Sequence, residues 1–247
     1  VANGPAGGTV SATLQLQDGT NTYPPVLFTF TLPAPQAFAN AEPINIPDPA
    51  APNPPYEQQS GPAKPYPSVI NVSNFAGTLG RVAVTLSNLS HSFPADVSVL
   101  VVAPSGGKAL VMSGAGDQAV QNGITLTFDD SASTTLPEFG QLVSGSYRPA
   151  AYGTMPIFPT NAPPGPYSTG LSALNSVNPN GPWKLYVYDG GSGDDGIIFN
   201  GWSLTLTSIS PVNRLADLAL TAVAAPNPAW VGGTLTYVYT ITNGGPN

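Results

Sequence analysis

The chain has 247 residues, of which 41% are hydrophobic and only 8% charged, so it can bury the core of one large or two small domains. A formal net charge of −7 with six Lys and Arg residues argues against nucleic acid or an anionic membrane surface as a partner. Cysteine is absent, which excludes disulfides, thiolate metal sites and cysteine nucleophiles.

No segment is apolar enough for membrane insertion. Few charges with many Thr, Ser, Asn and Pro residues are typical of an extracellular surface protein, and because the chain does not begin with Met we expect a mature piece or a fragment.

The first 33 residues are expected to form a β-hairpin. Residues 9–16 alternate so that Val10, Ala12, Leu14 and Leu16 share one face, as in a half-buried strand, and residues 26–32 form the second strand. A two-stranded hairpin is marginally stable in water, so it is expected to belong to a larger unit. Residues 34–67 are rich in proline and are predicted to be a connector, with a short edge strand at residues 44–46.

Short apolar runs separated by Gly, Pro and Asn follow, and they are the pattern of an all-β sandwich. The chain has 29 Pro and 27 Gly residues, and no stretch has the periodicity of an amphipathic helix. Strands are predicted at residues 69–72, 81–86, 97–102, 109–112, 124–128, 183–188 and 201–207. Residues 131–176 are a long excursion that is expected to wrap around the sandwich. An acidic, glycine-rich loop at residues 189–196 joins the last two strands.

Several motifs are spaced along this central region. They are PYPSVINV at 65–72, LSHSFPADV at 89–97, LTFDD at 126–130, NPNGPWKLYVYD at 178–189 and GWSLTL at 201–206. Together they resemble the P domain (P/Homo B domain), which follows the catalytic domain of proprotein convertases and of many secreted bacterial subtilisin-like proteases. The resemblance implies a jelly-roll-like β-sandwich over residues 68–207 that assists folding or binding and does no chemistry of its own.

The C-terminal region carries a second set of motifs. It reads ADLALT at 216–221, PNP at 226–228 and GGTLTYVYTITNGGP at 232–246. This is similar to the opening of the Ig-like repeats of bacterial surface adhesins and cell-wall proteins, the CARDB and conserved-repeat group. The resemblance implies that residues 214–247 are the N-terminal half of an Ig-like domain, since the whole fold needs about seven strands.

The two ends of the chain are predicted to complete each other. Residues 1–33 would supply the missing strands to residues 214–247 of a neighbouring copy, because strand addition pairs free edges and buries apolar faces. The copies are either tandem repeats or separate subunits, so the predicted partner is the same chain, joined head to tail. The alternative is that residues 1–33 are the tail of an unrelated upstream domain. The predicted assembly interface consists of Val10, Leu14, Leu16, Leu235, Tyr237, Tyr239 and Ile241.

Carboxylates cluster at two places. Asp129 and Asp130 end a predicted strand, and Asp189, Asp194 and Asp195 lie in one glycine-rich loop. Calcium takes six to eight oxygen ligands, which close carboxylates and backbone carbonyls supply, so a calcium ion is the predicted cofactor of these five residues. The alternative is a pair of solvated turns in which the Asp side chains accept hydrogen bonds from backbone N–H groups.

Histidine occurs once, at His91, and the sequence has no Gly-x-Ser-x-Gly motif, so no catalytic residues are predicted. His91 and Asp96 form an H-x-x-x-x-D pattern that is present in the P-domain family, and His91 is expected to fix a loop by a hydrogen bond. A carbohydrate platform would need exposed aromatic faces. The aromatic residues of the excursion are instead expected to cover the sandwich; they are Tyr147, Tyr152, Phe158 and Tyr167.

These observations favour a structural, non-catalytic module of an extracellular fibre, filament or adhesin. Low charge and high proline content suit a stiff, protease-resistant rod. Two other functions stay open: an accessory P domain of a secreted subtilisin-like protease, and a carbohydrate-binding module. The fold prediction is the same for all three: an all-β chain with a jelly-roll-like sandwich flanked by Ig-like pieces.

Overall fold

The structure is a computed structural model. It describes residues 8–15, 17–18, 20–31, 34–46, 60–117, 121–176, 178–209 and 218–243. The chain divides into two compact units, Val1–Ile209 and Ser210–Asn247. Within the described ranges, no helix has the length and apolar character needed to cross a membrane.

The described residues form nineteen strands and two single-turn 3₁₀ helices, Pro94–Asp96 and Leu171–Leu174. The first strands are β1 (Thr9–Leu14), β2 (Gln17–Asp18), β3 (Asn21–Thr22) and β4 (Val26–Thr31). The next thirteen are β5 (Gln36–Asn40), β6 (Ile44–Ile46), β7 (Gly61–Pro62), β8 (Ser68–Val72), β9 (Thr78–His91), β10 (Val97–Val102), β11 (Lys108–Ser113), β12 (Gln121–Asp129), β13 (Gly145–Tyr147), β14 (Ala150–Ala151), β15 (Gly181–Asp189), β16 (Gly196–Ile198) and β17 (Trp202–Ile209). The second unit contains β18 (Leu218–Ala225) and β19 (Thr236–Asn243).

Two sheets make up the central sandwich. The first has the order β14-β11-β10-β15-β7, with β8 also paired to β15. The second has the order β13-β12-β9-β16-β6, with β17 paired to both β9 and β5. Apolar side chains from both sheets, among them Val99 and Leu185 from the first and Val84 and Leu204 from the second, belong to one buried core. The prediction of an all-β sandwich is therefore confirmed.

Strand β10 is buried on both faces of its sheet. All six of its residues are buried. Val97, Val99 and Val101 belong to the core between the sheets, whereas Leu100 and Val102 belong to a second apolar cluster. Because alternate residues of a strand point to opposite faces, the second cluster lies on the outer face of the sheet. The continuous apolar run at residues 97–102 thus encodes a strand that is covered on both sides.

The long excursion supplies that outer cover, as predicted. Phe158 is buried in the second cluster with Leu110 and Tyr186, and its ring meets Tyr167 edge-on at a centroid distance of 5.6 Å. The Tyr167 hydroxyl donates a 2.9 Å hydrogen bond to the carbonyl of Pro163, which holds the proline-rich segment in place. Burial, together with the neighbouring tyrosines, raises the pKa of the Tyr66 hydroxyl at this cluster well above its usual range.

Trp183 and Trp202 are the largest side chains in the core, and both are almost fully buried. A buried indole needs an acceptor for its N–H. Trp183 donates to the carbonyl of Pro179 at 2.8 Å, and Trp202 donates to the Ser68 hydroxyl at 3.0 Å. Both tryptophans are therefore core residues. They lie in different sheets, because β15 pairs with β10 and β17 pairs with β9.

The sandwich begins before the predicted boundary at residue 68. Strand β5 pairs with β17, and β6 pairs with β16 at the edge of the second sheet. The short edge strand expected at residues 44–46 is therefore present, but residues 36–46 belong to the sandwich and not to a free connector. Residues 47–59 lie outside the described residues.

Candidate assembly edges and the acidic loop

The N-terminal hairpin is a two-stranded sheet of β1 and β4. The two strands are antiparallel, with a register that runs from Thr9 opposite Thr31 to Leu14 opposite Val26. Leu14 and Val26 are 41% and 42% exposed, although both are apolar. A hairpin of two strands gains stability in water by joining further strands or a packing partner. This one presents an exposed apolar pair, Leu14 and Val26, at one end.

The C-terminal hairpin, β18 with β19, is also a two-stranded antiparallel sheet with exposed apolar side chains. Its register runs from Leu218 opposite Asn243 to Ala225 opposite Thr236. Tyr237 and Tyr239 are 56% and 64% exposed, and their rings stack with centroids 6.2 Å apart. Each tyrosine lies opposite an alanine of β18, so the aromatic rings find no large neighbour across the strand pair.

The edges of the two hairpins differ from those of the sandwich. Proteins usually protect a sheet edge with short strands, prolines or charged side chains. In the described sandwich, the edge strands β5, β6, β7, β8, β13 and β14 are two to five residues long. The hairpin strands are six residues long in β1 and β4 and eight in β18 and β19, and none of them contains a proline or a charged residue. The hairpins therefore carry long, unprotected edges.

Four of the seven predicted interface residues are exposed apolar side chains: Leu14, Leu235, Tyr237 and Tyr239. Val10 and Ile241 lie in β1 and β19, at positions whose side chains are outside the described part of the structure, and Leu16 is outside it altogether. Exposed Leu27, Val223 and Val238 were not among the predicted interface residues, and they lie on the opposite face of their hairpins. Trp230, at the turn before β19, is 80% exposed.

His91 and Asp189 form a fully buried pair at the end of β9 and the end of β15. His91 Nε2 lies 3.2 Å from Asp189 Oδ2, and neither side chain has exposed surface. His91 Nδ1 accepts a 3.0 Å hydrogen bond from the Phe93 backbone N–H, so the ring proton is on Nε2 and points to the carboxylate. The prediction that His91 fixes a loop is confirmed. Because both ring nitrogens are engaged, neither contacts a serine hydroxyl as a general base does.

The acidic loop is held by the residues that follow His91. Ser92 Oγ donates to Asp194 Oδ1 at 3.0 Å, and the Ser92 backbone N–H donates to the carbonyl of Asp195 at 3.2 Å. Asp189 Oδ1 accepts from the Gly191 N–H at 3.0 Å. Gly196 packs so tightly that a Cβ there would lie 2.3 Å from His91 Cδ2, so only glycine fits. The loop is thus a turn stabilised by hydrogen bonds to protein donors.

Asp96, a weaker candidate for calcium in the sequence, lies beside this acidic loop. Its backbone carbonyl accepts from the Gly190 N–H at 2.9 Å, and a Cβ on Gly191 would overlap its carboxylate. Burial is the main cause that raises the pKa of Asp96, and the negative charges of Asp189 and Asp194 raise it further, against a smaller opposing effect of His91.

Asp129 and Asp130 lie at a second place, beside the 3₁₀ helix Leu171–Leu174. Asp130 accepts hydrogen bonds from the backbone N–H groups of Leu171 and Ser172, both at 2.9 Å, and so caps that helix. Asp129 forms an ion pair with Arg81 at 2.5 Å. Burial raises the pKa of Asp129, but hydrogen bonds from Arg81 and Ser131 outweigh this and lower it overall.

The five carboxylates predicted to bind calcium therefore separate into two sites. Each of the five residues takes part in hydrogen bonds to protein groups, through the carboxylate in four of them and through the backbone in Asp195. Among the described residues, no group of three or more His, Asp or Glu side chains is arranged to hold a metal ion. The calcium site stays a prediction of the sequence.

The aromatic residues of the excursion are engaged by the sandwich. Phe158 is buried and Tyr147, Tyr152 and Tyr167 are partly buried. The Tyr152 hydroxyl donates to the carbonyl of Leu136 at 2.5 Å, and the Tyr147 hydroxyl donates to the carbonyl of Val143 at 3.0 Å. These four residues cover the sandwich, as expected, and do not form an open stacking platform for a sugar.

No family model, curated protein or solved structure matched the chain. The likeness to the P domain and to Ig-like repeats therefore rests on the sequence motifs.

Proposed function

We propose that this protein is a structural, non-catalytic module of an extracellular fibre, filament or adhesin. Copies of the chain assemble head to tail through Ig-like strand pairing, with a P-domain-like sandwich as the folded body of each copy. The observation that carries the proposal is the presence of two amphipathic hairpins with exposed apolar side chains and unprotected edges.

The composition of the hairpins supports association between copies of the same chain. Residues 218–243 contain no Asp, Glu, Lys or Arg, so a charged partner would find nothing to pair with there. Exposed Leu, Val and Tyr side chains instead favour an apolar partner surface, and the same chain carries one in each hairpin. The engaged His91 and the low content of charged residues fit a module whose role is mechanical.

Sedimentation velocity of the purified chain over a range of concentrations tests the proposal. We expect the weight-average sedimentation coefficient to rise with concentration, and electron micrographs of the concentrated sample to show filaments with a regular axial repeat. A chain that stays monomeric at every concentration would contradict the proposal.

A charged substitution in the C-terminal hairpin should weaken assembly. Tyr239→Lys places a charge on an exposed apolar side chain, and loss of a buried tyrosine from an interface costs about 2 kcal/mol or more. We therefore expect association to weaken at least about 25-fold. Ile157→Lys is the matched control, because Ile157 is 88% exposed but lies in the excursion of the sandwich. Equal weakening by both variants would show that the hairpin is not the interface.

A further inference from the structure

We infer that the head-to-tail contact is a specific pair of edges: β19 of one copy binds β1 of the next, antiparallel, with Ala12 opposite Tyr239. This inference rests on the proposed function and adds the strands and the register. The joined sheet would have the order β18-β19-β1-β4, two strands from each copy.

The first argument is the number of strands. Each hairpin is a separate two-stranded sheet, and three or more strands with an apolar face are needed for independent stability. Joining one edge of each hairpin makes a sheet of four strands in a single step. A second copy is thus the occupant that covers one unprotected edge of each hairpin with the same contact.

The second argument is the alternation of side chains. Thr236, Thr240 and Thr242 share one side of β19 with Val238 and alternate with the apolar positions 237, 239 and 241. Strand β1 alternates in the same way, with Thr9, Ser11 and Thr13 between positions 10, 12 and 14. Pairing in the proposed register places Ser11 opposite Thr240 and Leu14 opposite Tyr237. It therefore gives the joined sheet one hydroxyl-bearing face and one apolar face.

The third argument chooses β1 over β4. In the proposed register, Thr9 and Ser11 lie opposite Thr242 and Thr240, and hydroxyl-bearing residues form favourable pairs across strands. Strand β4 carries the exposed Leu27 on the corresponding face, where β1 has only Thr and Ser. Strand β1 therefore matches the threonines of β19 better than β4 does.

The absence of cysteine makes the pairing directly measurable. A Ser11→Cys chain is mixed with a Thr240→Cys chain that carries a mass tag, and the mixture is oxidised mildly. Both substituted residues are exposed, so neither change disturbs the fold of one copy. We expect a disulfide-linked product containing one tagged and one untagged chain, at least about tenfold more abundant than in the two control mixtures.

The controls pair the same Thr240→Cys chain with Thr29→Cys, which lies in β4, and with Ser133→Cys, which lies in an exposed loop of the sandwich. A dominant Thr29 product, or assembly in sedimentation without the Ser11 product, would overturn the β1–β19 pairing and leave the proposed function intact. A Ser11→Cys, Thr240→Cys double variant that closes on itself as a monomer would also overturn it. Absence of assembly by the unsubstituted chain would instead refute the proposed function.

Discussion

Replacing His91 by Ala is expected to destabilise the sandwich by about 3–5 kcal/mol, the usual cost of removing one partner from a buried ion pair or its hydrogen-bonded equivalent. His91 and Asp189 have no exposed surface, so water cannot replace the lost partner. The change would leave the Asp189 carboxylate with the Gly191 N–H and would deprive the Phe93 N–H of its acceptor. A typical domain is stable by about 5–15 kcal/mol, so this loss is a large part of the total.

Asp189→Asn tests the hydrogen-bond pattern without changing the shape of the side chain. Both Asp189 oxygens accept hydrogen bonds, one from His91 and one from Gly191. An amide has only one acceptor oxygen, so its NH₂ group must face a donor in either orientation. Moving the His91 proton to Nδ1 does not help, because that nitrogen faces the Phe93 N–H. We expect a loss of about 1–3 kcal/mol.

Urea unfolding followed by tryptophan fluorescence measures both changes, because Trp183 and Trp202 are buried in the same sandwich as the pair. Asp117→Asn is the control: it removes the same charge at an exposed residue and is expected to change the stability by less than about 0.5 kcal/mol. If Asp189→Asn were as stable as the control, the buried hydrogen-bond reasoning would be wrong. A His91→Ala loss below about 1 kcal/mol would show that the pair does not hold the loop.

Two further predictions concern the acidic loop. The pKa of the Asp96 carboxyl is raised from 3.8 in the folded state. The contribution of Asp96 to the free energy of unfolding is therefore fully present at low pH and is lost as the pH rises through the raised pKa. Asp96→Asn is expected to raise the urea midpoint at pH 7 and to leave it unchanged well below pH 3.8. An equal effect at both pH values would refute the electrostatic cause. For the calcium prediction, EDTA should lower the melting temperature and added calcium should restore it, and both effects should be lost in an Asp194→Asn, Asp195→Asn variant. Melting curves that EDTA leaves unchanged would contradict the site.

The sequence predicted the strands whose apolar residues alternate or run continuously. The predicted strand at residues 97–102 coincides with β10, and those at 183–188 and 201–207 differ from β15 and β17 by one or two residues at their ends. Strand β5 was missed because its residues, QAFAN, have weak strand preference and follow a proline-rich segment. Its pairing with β17 joins residues far apart in the chain, which no local pattern reports.

Part of the candidate site could likewise be predicted from the sequence, and part could not. The exposed apolar positions of the hairpins could be predicted, since amphipathic alternation is a local property. The acidic loop could be located, but not its partners. Asp189 meets His91 and Asp96 only because β15 and β10 are neighbours in one sheet while β9 lies in the other. Proximity of carboxylates in sequence therefore suggested a metal, whereas the fold supplies hydrogen-bond donors to four of the five carboxylates.

The free-energy cost of ordering the C-terminal hairpin links its folding to assembly. Ordering the backbone costs roughly 1–2 kcal/mol for each residue, and β18 and β19 have eight residues each. Burial of apolar surface offsets little of this cost, because Tyr237, Val238 and Tyr239 are more than half exposed. The sandwich, by contrast, buries its apolar residues in its own core and closes its edges with short strands. On the proposed function, a partner supplies much of the free energy that orders the hairpin, so formation of the hairpin and formation of the head-to-tail contact are expected to be one coupled event.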